Sequence, residues 1–120
     1  MAIVLVVDDA QTDRELMGRV ITAAGHRVVL ASDGKEAMVL AKAHKPALIF
    51  LDVVMPVMDG FATCRSLTRD PETASIPVVL VTSKHTSSDV FWGKKQGASD
   101  HIGKPWDERR IAAMLMRYCK

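Results

Sequence analysis

Hydrophobic residues in this chain gather in short runs, separated by longer stretches in which they recur at every third or fourth position. Five runs read as strands: Ile3 to Val7, Arg27 to Ala31, Ala47 to Leu51, Val78 to Thr82 and a weaker one near Asp100 to Gly103. In the first, third and fourth, Ile, Val and Leu follow one another without polar alternation, as parallel strands covered on both faces do. The stretches between them read as helices. The first carries Leu16, Val20, Ile21 and Ala24 on one face and closes at Gly25. The second opens at Asp33 with Glu36 three residues on, a capping box, and presents Ala37, Leu40 and Ala41 inward. A third runs from about Gly60 to Thr68 with Phe61, Cys64 and Leu67, and Pro71 and Pro77 mark the loop after it. Ser87 or Ser88 caps a fourth that stops at Gly97. The last starts near Asp107 and offers Ile111, Leu115 and Tyr118 to the core.

Strand and helix alternating in this way predict a doubly wound α/β domain with right-handed crossovers. In such open sheets the binding site lies beyond the carboxyl ends of the strands. The residues there are Asp8 and Asp9 after the first strand, Asp52 after the third, Thr82 and Ser83 at the fourth and Lys104-Pro105 after the fifth. Three carboxylates on one rim repel, since two like charges about 4 Å apart cost roughly 4 kcal/mol at an effective dielectric of 20. A cation must be present, or a proton retained. Hard oxygen ligands with no histidine or thiolate point to magnesium or a similar ion, which leaves positions open for phosphate oxygens. Lys104 adds a fixed positive charge and Thr82 a hydroxyl donor, so the rim suits phosphoryl transfer, in which an aspartate can itself be the nucleophile.

Composition narrows the setting. The length of 120 residues fits one domain over 1–120 with a real core, and no linker or repeat divides it. The net charge of +2 is spread along the chain, which gives no basis for a nucleic acid or membrane partner. The early apolar run Ile3 to Val7 is too short for an export signal and ends in Asp8-Asp9, so a cytoplasmic protein is expected. Cys64 and Cys119 stand in no metal-ligand or redox spacing and read as small buried or half-buried residues. Met17, Met38, Met55, Met58, Met114 and Met116 read as core filler, and Asp59-Gly60 as a turn and helix cap. Trp92 and Trp106 serve either packing or an interface.

Val6-Val7-Asp8-Asp9, the segment from Leu51 to Gly60, Val81-Thr82-Ser83 and Lys104-Pro105 occur in the order and spacing of a known family's motifs. The sequence resembles the receiver domains of two-component response regulators from end to end. The resemblance implies a flavodoxin-like, five-stranded parallel sheet in the order 2-1-3-4-5 with five helices. It implies that Asp52 is the phosphorylated aspartate and that Asp8, Asp9, Asp52 and the backbone carbonyl of Val54 hold magnesium. Thr82 would bond the phosphoryl group after transfer, Lys104 would contact a phosphoryl oxygen, and the Lys104-Pro105 bond would be cis. Relatives often carry Tyr or Phe three residues before the lysine as a switch; this chain has His101, read either as that switch or as a partly exposed strand-edge histidine. A sensor histidine kinase and a separate protein target are the implied partners of a monomer with no output domain. The segment from Phe91 to Ala98, with the loop from Asp70 to Thr73, is similar to the single-domain regulators of type IV pilus twitching motility.

Three other functions compete with a phosphorylation switch. One is a sink that drains phosphoryl groups from a shared kinase. A phosphatase of the haloacid-dehalogenase type needs an Asp-x-Asp motif after the first strand, where this chain has Asp9-Ala10-Gln11. Flavin binding needs a Ser, Thr and Gly cluster in that loop, which is absent from the sequence.

Overall fold

A computed structural model describes residues 1–55, 59–83 and 87–119. Five parallel strands, β1 Ile3–Val7, β2 Arg27–Ala31, β3 Leu48–Asp52, β4 Val78–Thr82 and β5 Asp100–Gly103, form one sheet in the order β2-β1-β3-β4-β5. Five helices connect or follow them: α1 Gln11–Ala23, α2 Gly34–His44, α3 Gly60–Arg69, α4 Ser87–Lys95 and α5 Glu108–Tyr118. The doubly wound, flavodoxin-like expectation is met in topology and strand order. Order reverses at β1, which sits between β2 and β3, so the carboxyl ends of β1 and β3 lie side by side.

The uninterrupted apolar runs behave as parallel strands should. Every residue of β3 and β4 is buried. Successive side chains alternate between two cores. Leu5, Val7, Ile49, Leu51, Val78 and Leu80 meet Ala37 and Ala41 of α2 and Cys64 and Leu67 of α3. Val4, Val6, Leu48, Phe50, Val79, Val81 and Ile102 meet Met17 and Ile21 of α1 and Ile111, Met114 and Leu115 of α5. Each such Val, Leu, Ile, Phe or Met side chain contributes about 1.5–3 kcal/mol when fully buried, so the sheet centre carries much of the hydrophobic stabilisation.

Helix boundaries follow local chemistry. Asp33, Asp59 and Asp107 cap α2, α3 and α5, each accepting from the N–H three residues on at 2.8, 2.8 and 3.0 Å. Glu36 reaches one residue beyond the expected box, accepting from the N–H of Ser32, just before the cap, at 2.8 Å. Gly25 and Gly97 adopt φ of 94° and 97°, the left-handed conformation that ends α1 and the turn after α4. Beyond α4, Gln96 is gripped by α3: its carbonyl accepts from Thr68 Oγ1 at 2.9 Å and Cys64 Sγ at 3.5 Å, and its side-chain oxygen accepts from Arg65 Nε at 2.7 Å.

Three expectations need correction. The third strand runs one residue later than Ala47 to Leu51, because the ladder with β4 continues to the Asp52–Val81 pair, which puts the aspartate inside the strand. The inward face of α1 is Met17, Gly18 and Ile21, while Leu16 is 48% exposed and Ala24 is exposed beside the helix end. Packing of α1 on the sheet sets this rotation: Gly18 faces Val28 and Leu30 of β2, and Met17 fills the core. Met116 is 79% exposed on the outer face of α5, so it is no core filler, unlike Met17, Met55 and Met114, which are buried. Capping by Ser87 or Ser88 and the placement of Met58 lie outside the described residues and side chains. Cys64 is buried and Cys119 half-buried, both as free thiols. Trp106 packs against the α1/α5 core, whereas Trp92 is largely exposed.

Candidate functional site

Asp8 is the first residue beyond β1, and its N–H still donates to Ala31 O at 3.1 Å, so the strand pairing carries the aspartate to a fixed place. Its Oδ1 accepts from Ala10 N at 2.9 Å, and its carbonyl accepts from Arg14 Nη1 at 2.7 Å. Asp9 follows, exposed to solvent. Asp52 closes β3, and its Oδ1 is 3.4 Å from the N–H of Val54 two residues on. Asp8 and Asp52 are each only 5% exposed. Carboxylate oxygens of Asp8, Asp9 and Asp52 all lie within 4.8 Å of one another.

Lys104 reaches into this group from the end of β5. Its Nζ donates to Asp8 Oδ2 at 3.1 Å and Asp13 Oδ2 at 3.4 Å, and stands 3.7 Å from Asp52 Oδ2. Its backbone N–H donates to Thr82 O at 2.8 Å, and the following Lys104-Pro105 bond is cis. Thr82, the last residue of β4, is buried one position past the Val81 that pairs with Asp52. The predicted rim is therefore assembled: Asp8, Asp9, Asp52, Thr82 and Lys104 all stand at the carboxyl ends of the strands.

The charges in this rim do not balance. Unit charges 4.8 Å apart repel by about 3.5 kcal/mol per pair at an effective dielectric of 20, and more when closer. Burial, reinforced by the negative charge of Asp8, raises the Asp52 carboxyl to about 6, against the opposing pull of Lys104 and the Val54 N–H. For Lys104, burial works to lower the pKa, but its hydrogen bond to Asp8 and the charges of Asp52, Asp8 and Asp13 more than offset it and leave the ammonium above its ordinary value. A crowded set of hard oxygen donors, still short of positive charge with the lysine in place, fits a small divalent cation such as magnesium.

His101 stands outside the carboxylate group. It lies on β5 opposite Leu80, half-buried. Together with Thr82, Phe61, Leu80, Val90 and Gly93 it lines a cavity of about 280 Å³ between the sheet and α4. One cavity thus touches both the rim hydroxyl and the histidine. The side chain of Val54 is 55% exposed.

Sequence reasoning missed three contributors. Asp13, in the first turn of α1, shares Lys104; the aspartate pair precedes the helix, so no local spacing marks it. Arg14 braces the Asp8 carbonyl. Gly60 does more than open α3 behind the Asp59 cap: a Cβ on it would lie 2.3 Å from Asp52 O and 2.5 Å from Val53 Cα. With its N–H donating to Val53 O at 2.8 Å, Gly60 packs the start of α3 directly onto the backbone of the site.

Residues 4–116 match the family described as the response regulator receiver domain. The chain belongs to this family. The receiver is 41% identical to protein PilH of Pseudomonas aeruginosa over 111 residues, 92% of each chain. It spans 25–52% of several longer curated relatives. Among solved structures, chemotaxis protein CheY4 of Vibrio cholerae aligns with the receiver at a TM-score of 0.93 and 30% identity, covering 98% of both chains. The receiver domain of sensor histidine kinase PA1611 from Pseudomonas aeruginosa, with a magnesium ion coordinated in its own active site cleft, shares the fold at a TM-score of 0.90 and 23% identity, covering 98% of the receiver and 96% of its own chain. Among the described residues, no helix of the receiver is long and apolar enough to cross a membrane.

Proposed function

We propose that the receiver accepts a phosphoryl group on Asp52 from a sensor histidine kinase and passes the resulting change to a protein target. The observation that carries this reading is the Asp52 carboxylate itself, 5% exposed at a strand end, with Lys104 Nζ 3.7 Å away and Asp8 and Asp9 around it. Ionised Asp52 attacks the phosphorus of the phosphorylated kinase histidine. The P–N bond breaks as a P–O bond to Asp52 forms, and the electron pair leaves with the imidazole, which picks up a proton from water. The nucleophile is already an anion, so this scheme asks for no general base. Catalysis is then positioning and charge neutralisation.

Asp8, Asp9, Asp52 and the backbone carbonyl of Val54 would hold magnesium, whose chemistry is to neutralise charge on the transferring phosphoryl oxygens. Lys104 supplies the second positive charge, donating to a phosphoryl oxygen once one is present. Thr82 donates its hydroxyl to another oxygen after transfer and draws its loop inward. His101 lines the same cavity as Thr82, which supports its assignment as the residue that follows that movement. The similarity to PilH supports type IV pilus motility as the pathway.

Intact-mass measurement after incubation with acetyl phosphate and magnesium tests this. Wild type should gain one phosphoryl group and Asp52→Asn none; an unmodified wild type overturns the reading. Lys104→Ala should still be phosphorylated to some extent but show a blunted conformational response, and an undiminished response removes the role given to the lysine.

A further inference from the structure

The Lys104 ammonium is shared, and the sharing is uneven. Asp8 holds it at 3.1 Å and Asp13 more loosely at 3.4 Å, while Asp52 at 3.7 Å is an ion-pair neighbour without a hydrogen bond. Asp8 is buried and fixed by the Ala10 N–H. Asp13 differs: its side chain is 48% exposed, on α1 rather than on a strand end, and it borders the groove formed with Leu16, Ser83, Lys104, Pro105 and Trp106. Asp13 thus contacts the ammonium from the α1 side, at a shorter distance than the acceptor does.

We propose that Asp13 is a positioning residue for Lys104, a latch that holds the lysine back in the unmodified receiver and must release it when a phosphoryl group occupies Asp52. This rests on the reading of Asp52 as the acceptor. A phosphoryl group adds acceptor oxygens and about −1.5 to −2 of charge at Asp52, which outbids a half-exposed carboxylate for the lysine. The Asp13 contact is lost on the way to the modified state, so it biases the equilibrium toward the unmodified one. A competing role exists: α1 has no side-chain cap at Ala10, and an acidic residue in the first turn stabilises a helix start on its own. Only the latch role depends on Lys104.

Two measurements separate these roles. First, the affinity for beryllium fluoride, a phosphoryl mimic, is measured at saturating magnesium by tryptophan fluorescence, Trp106 lying in the same groove. Asp13→Asn should bind the mimic about threefold more tightly than wild type, the size of a half-exposed ion pair. Unchanged or weaker binding overturns the latch. No binding by wild type itself would instead count against the acceptor role of Asp52. Second, urea unfolding without ligand compares Asp13→Asn in wild type and in Lys104→Gln. The lowering of the midpoint by Asp13→Asn should shrink when Lys104 is gone. An equal lowering in both backgrounds assigns Asp13 to the helix start alone.

Discussion

Replacing Asp52 by Asn should stabilise the receiver when magnesium is absent, although it removes the residue on which the chemistry turns. The substitution keeps the shape of the side chain and its capacity to accept from the Val54 N–H, and it deletes the charge. Asp52 rises from an ordinary value of 3.8 to about 6 in the folded protein, so the native state holds its proton more tightly than the unfolded chain. Where the native state binds more protons, unfolding free energy falls as pH rises. The wild type therefore loses stability between about pH 4 and 6, and at pH 8 the loss amounts to about 2–3 kcal/mol at 1.36 kcal/mol per pKa unit. Asn pays none of this. Urea unfolding in EDTA, followed by circular dichroism, should show Asp52→Asn and wild type within about 0.5 kcal/mol of each other near pH 4, and Asn ahead by about 2–3 kcal/mol at pH 8. Saturating magnesium should reverse the order, because a ligand that binds only the native wild type stabilises it by mass action. A destabilised Asn variant in EDTA at pH 8, or a gap that does not change with pH, would refute the account of a charge-strained site.

Other variants probe how the site is held. Gly60→Ala places a Cβ 2.3 Å from the Asp52 carbonyl, a backbone contact that cannot swing aside, so about 1–3 kcal/mol of stability should be lost together with the rate of modification by acetyl phosphate; both are read by urea unfolding and intact mass. Phe50→Ala empties the centre of β3 and should cost about 3–5 kcal/mol in the same unfolding assay, with loss under about 1 kcal/mol contradicting the packing described. Burial raises the Cys64 thiol to about 11, so in the native protein a disulfide reagent should label Cys119 first and reach Cys64 only on unfolding, as peptide mass mapping would show.

Much of the architecture is written in the sequence because β1, β3 and β4 are covered on both faces and leave no room for polar alternation. The same burial places their first polar residues, Asp8, Asp52 and Thr82, at a shared edge. What pattern reading missed came from contacts between elements. Leu16 and Met17 are both apolar neighbours, and only the packing of α1 against the sheet and α5 decides which one turns inward. Asp13 has the look of an ordinary first-turn acid; its pairing with Lys104 spans 91 positions and cannot be inferred from spacing. Gly60 resembles any turn glycine until the backbone of Asp52 is found against it.

The grip of α3 on Gln96 makes the turn between α4 and β5 a splice between neighbours. Cys64, Thr68 and Arg65 fasten that turn from a single helix, 28 to 32 positions away in the chain. Gly60 seats the start of the same helix against the backbone of Asp52. One helix thereby joins the backbone of the acceptor to the segment that leads into the strand carrying His101.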